Sequence, residues 1–189
     1  MGLDLPALHE RALDLTRRDV GGIRDDQWEL ATPCEGWTVR ELANHIVSGN
    51  FWAAELARGK TIEAVGDRLD GDVLGPDPLA AYTESARVAD EAFRAPGAMA
   101  APCAVSYGPV PGEVYAGHRF IDVLIHGWDL AAATGQDTAL PPDLVEPCWA
   151  VVEPQRDLLV GSGMFGDHHE IPPGADRQAS LLALLGRTP

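Results

Sequence analysis

The chain has 189 residues with 29 acidic against 14 basic side chains, a formal net charge of −15, and is 46% hydrophobic. That length and apolar content fit one globular domain over residues 1–189 that needs no covalent staple, while the negative charge excludes nucleic-acid phosphates and anionic membranes as expected partners. The three cysteines, Cys34, Cys103 and Cys148, are far apart and form no C-x-x-C pair, so they read as structural or incidental thiols of a reducing compartment.

The N-terminus carries charges where a signal peptide would be apolar, and no apolar run approaches the ~20 residues of a membrane helix, which points to the cytoplasm. Leu5, Leu8, Ala12 and Leu15 recur at helical spacing and predict a first helix over 4–21. A Pro/Gly-bearing loop follows. Thr38 and Glu41 then form a capping-box pattern, with Trp37 and Leu42 at the staple positions, and open a second helix over 38–58. Residues 60–77 are acidic and glycine-bearing and read as loop. Asp77-Pro78 starts a third helix over 78–94.

The stretch from Pro96 to Gly112 is rich in proline and glycine and reads as an irregular connection, with at most a short extended piece at Cys103–Val110. A fourth helix over 111–134 ends at Gly135, a natural left-handed cap. Asp143 to Val160 predicts a fifth helix disturbed by Pro147 and Pro154, and Asp176 to Gly186 a short sixth. The expected architecture is all-α: an antiparallel four-helix bundle over about 4–135 with a C-terminal helical extension over about 141–187 packed outside it.

The fourth helix carries the chemistry. Phe120, Ile121, Val123, Leu124, Ile125 and Trp128 make it apolar nearly all round, the mark of a buried helix. One stripe is polar: His118, Asp122, His126 and Asp129. Asp122 and His126 are four apart and share a face. His45, in the middle of the second helix, can meet them across the core. Two imidazoles and a carboxylate bind a divalent cation and leave a coordination position open, as catalytic sites do. By themselves these residues also fit a solvent-facing stripe, a carboxylate orienting a structural histidine, and a packed core histidine. Asp129, three residues after His126, fits either an outer acceptor for a ligand imidazole or a surface carboxylate. Trp37, Trp52 and Trp128 read as core in preference to substrate-stacking residues. Arg119 is a candidate for an anionic substrate, and His168, His169 and Glu170 form a polar loop cluster.

The segments "TPCEGWTVRELANHIV" and "DVLIHGWDLAAATGQ", with the tail "ADRQASLLALLGRTP", resemble the DinB/YfiT-like superfamily, and more narrowly the mycothiol-dependent maleylpyruvate isomerase metal-binding domain and its actinobacterial relatives. The resemblance implies an up-down-down-up bundle holding a divalent metal on His45, Asp122 and His126. It departs at Asp122, where the isomerase has glutamate, and after residue 135, where the isomerase has a distinct C-terminal domain. It further implies mycothiol as thiol cosubstrate, a small-molecule electrophile and a homodimer. Zinc is the first expectation for the metal, with nickel, iron and manganese as alternatives. The activities that follow are a metal-dependent thiol S-transferase or isomerase, a metal-dependent hydrolase, or a non-catalytic metal-binding module.

Overall fold

A computed structural model describes residues 2–157, 169 and 174–188. Four long helices dominate: α1 (Leu5–Gly22), α2 (Val39–Ala57), α4 (Pro78–Arg94) and α5 (Gly112–Thr134), with a one-turn α3 (Ile62–Val65) between the second and third of them. Their ends follow local chemistry. Asp4, Thr38 and Asp77 each accept a backbone N–H of the first turn, and Thr38 and Glu41 complete the capping box in both directions. Gly135 closes α5 at φ 70°. After α5 come α6 (Pro142–Val152), a 3-10 turn (Glu153–Gln155) and α7 (Arg177–Leu184). The expected fifth helix is interrupted after Val152 by the 3-10 turn around Pro154, and Arg156 and Asp157 are helical again. Its predicted end at Val160 lies outside the described residues, as do His168 and Glu170.

Two expectations are corrected. The stretch read as an irregular connection contains a hairpin, β1 (Pro102–Val105) with β2 (Gly108–Pro111), in antiparallel register from Pro102↔Pro111 to Val105↔Gly108. Its prolines hold each strand to four residues without preventing pairing. The acidic stretch after α2 holds α3, capped by the Thr61 side chain on the Ala64 amide and seated by buried Val65.

Side-chain contacts give the direction of each helix. Arg40 and Asn44, early in α2, bond to Asp72, Gly71 and Gly75 just before α4, and Arg58, after α2, reaches Val88 late in α4, so α2 and α4 run parallel. Thr16 donates to the Val123 carbonyl and Gln136 to that of Asp19, so α1 and α5 are also parallel. Tyr82 donates to the Leu13 carbonyl while Arg94 pairs with Glu10, which makes α4 antiparallel to α1. The order is up-down-down-up. Each of α1 and α2 packs on both α4 and α5. The core between them is built from Leu42, Ile46, Tyr82, Phe120, Leu124 and their neighbours, and Leu144, Leu181 and Leu182 extend it under α6 and α7.

Gly127 sets the approach of α1 to α5. A Cβ there would lie 2.2 Å from Thr16 Oγ1. Gly127→Ala should therefore destabilise the fold by about 1–3 kcal/mol in urea denaturation, and Thr16→Ala in the same chain should restore part of the loss. A Gly127→Ala chain as stable as wild type would contradict this packing.

His9 is wholly buried, edge-on to Phe93 at 5.2 Å, and neither ring nitrogen has a hydrogen-bond partner among the described residues. Burial, helped by the charge of Arg119, lowers its pKa to about 3. Between that value and 6.5 the unfolded chain takes a proton that the native state refuses, so this contribution to stability is lost as pH falls below 6.5. Asp19, raised to about 7 chiefly by burial, has the opposite sign between 3.8 and 7. The comparison that isolates His9 is wild type against His9→Leu. The stability difference between them should shift by about 2 kcal/mol in favour of the variant from pH 7 to pH 5. A difference independent of pH would mean that His9 titrates normally in the fold.

Candidate metal centre

His45 on α2 and Asp122 and His126 on α5 come together where the two antiparallel helices cross. His45 Nε2 is 3.4 Å and His126 Nε2 3.6 Å from the same oxygen, Asp122 Oδ1, and the three donor atoms lie within 4.8 Å of one another. Donors held about 2.1 Å from one ion at tetrahedral angles are about 3.4 Å apart, so this spacing suits a single cation. The aspartate reaches both imidazoles despite its short side chain.

The electrostatics favour the anionic form of Asp122. Burial acts to raise its pKa, but Arg119, followed by His126 and His45, more than offsets this and holds the carboxyl well below the usual range. Arg119 is itself buried, with Nη1 2.8 Å from Asp122 Oδ2 and Nη2 3.1 Å from Asn50 Oδ1. It is not exposed to receive an anionic substrate, contrary to the expectation from sequence.

Behind the triad, Asp129 is fully buried, not on the surface. Its Oδ2 lies 3.0 Å from His126 Nδ1. An acceptor there keeps the proton on Nδ1 and leaves the Nε2 lone pair facing Asp122 and His45. The same carboxylate is gripped by Arg187, with Nε 3.0 Å from Oδ1 and Nη2 2.6 Å from Oδ2, and accepts from the Cys34 thiol at 3.2 Å. Burial opposes the charge on Asp129, and the bonds from His126 and Arg187 hold its pKa below the ordinary carboxylate value. Cys34 is pushed up to about 12 by burial and by Asp129, so it stands there as a thiol. Cys34, His126 and Asp129 also cluster at metal-ligand distances, but the Arg187 guanidinium already fills the cationic role among them.

Nothing in the sequence around Cys34 or Arg187 marks them as partners of Asp129. Cys34 sits in the loop 32–37, which closes on itself through Thr32 N–H to the Trp37 carbonyl and Trp37 N–H to the Cys34 carbonyl. The loop places Trp37 over the site, its ring 4.8 Å from that of His45. Trp37 is 36% exposed, so it is not the core residue expected from its position before the capping box. Trp128 is buried and Trp52 half-buried. His118 is occupied by the Tyr107 hydroxyl and by Gln155, and His169 is exposed. In front of His45 opens a cleft of about 650 Å³ lined by Trp37, Arg40, Glu41, Asn44 and Ser48. No helix among the described residues is long and apolar enough to cross a membrane.

Residues 9–131 match the family described as the mycothiol maleylpyruvate isomerase N-terminal domain. Two Mycobacterium tuberculosis proteins, both described as uncharacterized, are 41% identical over 189 residues, covering 95% of this chain and 96% of theirs. Among solved structures, the mycothiol-dependent maleylpyruvate isomerase and a histidine-to-alanine variant of it share the fold at a TM-score of 0.66, with 19% and 18% identity, over 92% of this chain and 77% of theirs. The bundle is thus the DinB-like one, and the chain belongs to the mycothiol maleylpyruvate isomerase N-terminal domain family.

Proposed function

We propose that this protein binds one divalent cation, zinc first, through His45, Asp122 and His126, and uses it as a thiol S-transferase or isomerase acting on a small electrophile with a mycothiol-type thiol. The observation that carries the reading is the convergence of three donor side chains from two helices on one cation-sized point, beside a cleft. The family and the fold neighbours support the thiol. A cation bound there would lower the pKa of a coordinated thiol and stabilise its thiolate at neutral pH.

The protein's own residues do the rest. Asp129 fixes the His126 tautomer, Arg119 fixes the Asp122 carboxylate, and Trp37 shields one side of His45 with an apolar ring. Cys34, held as a thiol, is not the nucleophile of this scheme.

The test is protein purified without chelators or a histidine tag. Elemental analysis should find about one zinc per chain, and members of a panel of electrophiles should be converted with mycothiol only when the metal is present, the thiol being consumed by an S-transferase and returned unchanged by an isomerase. A chain that neither carries nor takes up a divalent ion overturns the reading. Metal uptake with no thiol-dependent or hydrolytic turnover would assign a non-catalytic metal-binding module, and turnover with water alone a hydrolase.

A further inference from the structure

Arg119 is the unusual member of this site. A buried guanidinium stands beside a carboxylate that the metal reading assigns to a cation, and the bundle is built around it. Position 49 of α2 is glycine, and a Cβ there would fall 2.5 Å from Arg119 Nη1 and 2.8 Å from Cζ and Nη2. The guanidinium therefore lies flat against the α2 backbone, in space that any side chain would take. Its second nitrogen bonds to Asn50, which is fully buried and donates in turn to Ser85 Oγ on α4 at 3.3 Å. Three helices thus hold the guanidinium in place. Its first nitrogen bonds to Asp122 Oδ2, while the two imidazoles face Oδ1.

We infer that Arg119 is a positioning and charge-balancing residue: it reserves Oδ2 of Asp122 for itself, leaves Oδ1 alone for the cation, and cancels the carboxylate charge. The inference rests on the metal reading of the triad. With neutral imidazoles and a carboxylate already balanced by Arg119, a bound divalent ion keeps both of its charges. Such a centre binds its metal less tightly than the donor set allows and attracts an anionic ligand, such as a thiolate, more strongly. In the metal-free chain the same pairing leaves Asp122 with a partner, so the empty fold carries no buried uncompensated carboxylate.

The experiment compares Zn²⁺ affinity, by competition with a chromogenic chelator, in the full-length wild type, Arg119→Gln and Arg119→Lys, with thermal denaturation of each metal-free chain. Arg119→Gln keeps a donor but removes the charge, and should bind Zn²⁺ at least about tenfold more tightly while its metal-free form melts earlier. Arg119→Lys keeps the charge and should stay within about threefold of wild type. If Arg119→Gln fails to fold, Arg119→Met serves as the neutral variant with the same expectation. A neutral variant that binds Zn²⁺ no more tightly than wild type, or a Lys variant that tightens as much as the neutral one, overturns the inference and leaves the metal reading standing. A wild-type chain that takes up no Zn²⁺ overturns both.

Discussion

His45→Ala should lose divalent-cation retention and keep its fold. In the proposed site the imidazole is one of three donors, and removing a direct donor should weaken binding by more than the ~10–100-fold that follows loss of a residue merely supporting one. Its contribution to folding is small: the side chain is 37% exposed, and its one polar contact among the described residues is with Asp122, which retains Arg119. The measurement is zinc stoichiometry after gel filtration, read beside helical circular dichroism and melting temperature. Wild-type zinc content in the variant would remove His45 from the site, and a collapsed helical signal would mean that the imidazole is structural after all.

Arg187→Ala should be the more damaging change to the fold. Asp129 is fully buried, and Arg187 supplies two of its charge-assisted hydrogen bonds. Removing one partner of a buried ion pair leaves an uncompensated charge, at about 3–5 kcal/mol. For a chain of this size each kcal/mol lowers the melting temperature by about 2–4 °C, so a fall of roughly 10 °C is expected. The double variant Arg187→Met/Asp129→Leu should recover much of that stability, since both charges are then gone. It should still lose metal affinity, because the acceptor on His126 Nδ1 goes with them. A loss below about 1 kcal/mol in Arg187→Ala would mean that water reaches Asp129 and that the C-terminal segment does not seal the site.

These two residues mark how far the sequence could be read. His45, Asp122 and His126 are legible as candidate ligands because two of them share one helical face, and because the segments around all three resemble a known family; the structure brings the three together. Helix ends were legible because capping is local: Thr38 with Glu41, Asp77 before Pro78, Gly135 after the last turn. Arg187 and Cys34 were not. They meet Asp129 across 58 and 95 positions of sequence, and nothing in their neighbours announces the partner. The Arg119 arrangement was hidden for a related reason, because a glycine at 49 reveals its purpose only once the facing helix is in place. The hairpin at 102–111 was obscured by prolines that read as breakers, although an isolated two-strand pair tolerates them. Trp37, placed just before the helix, has the position of a packing residue, and the closed loop 32–37 turns it toward His45 instead.

The parallel pairing of α1 with α5 shapes how the chain reaches its native state. Thr16 bonds to Val123 and Gln27 to Thr134, each across 107 positions. In a simple up-and-down bundle each helix packs on the next one in the chain, and only the first and last pair across its full length. Here the first helix packs on later ones, and its long seam with α5 cannot close until almost two thirds of the described chain has been brought round. Closing so large a loop is entropically demanding before any contact rewards it, so this bundle should fold more slowly than helical proteins of its size whose contacts are local. It also ties the proposed site to the docking of α5. Asp122 and His126 lie on α5 and His45 on α2, so a chain in which α5 has not docked presents His45 without its two companions and lacks the proposed centre.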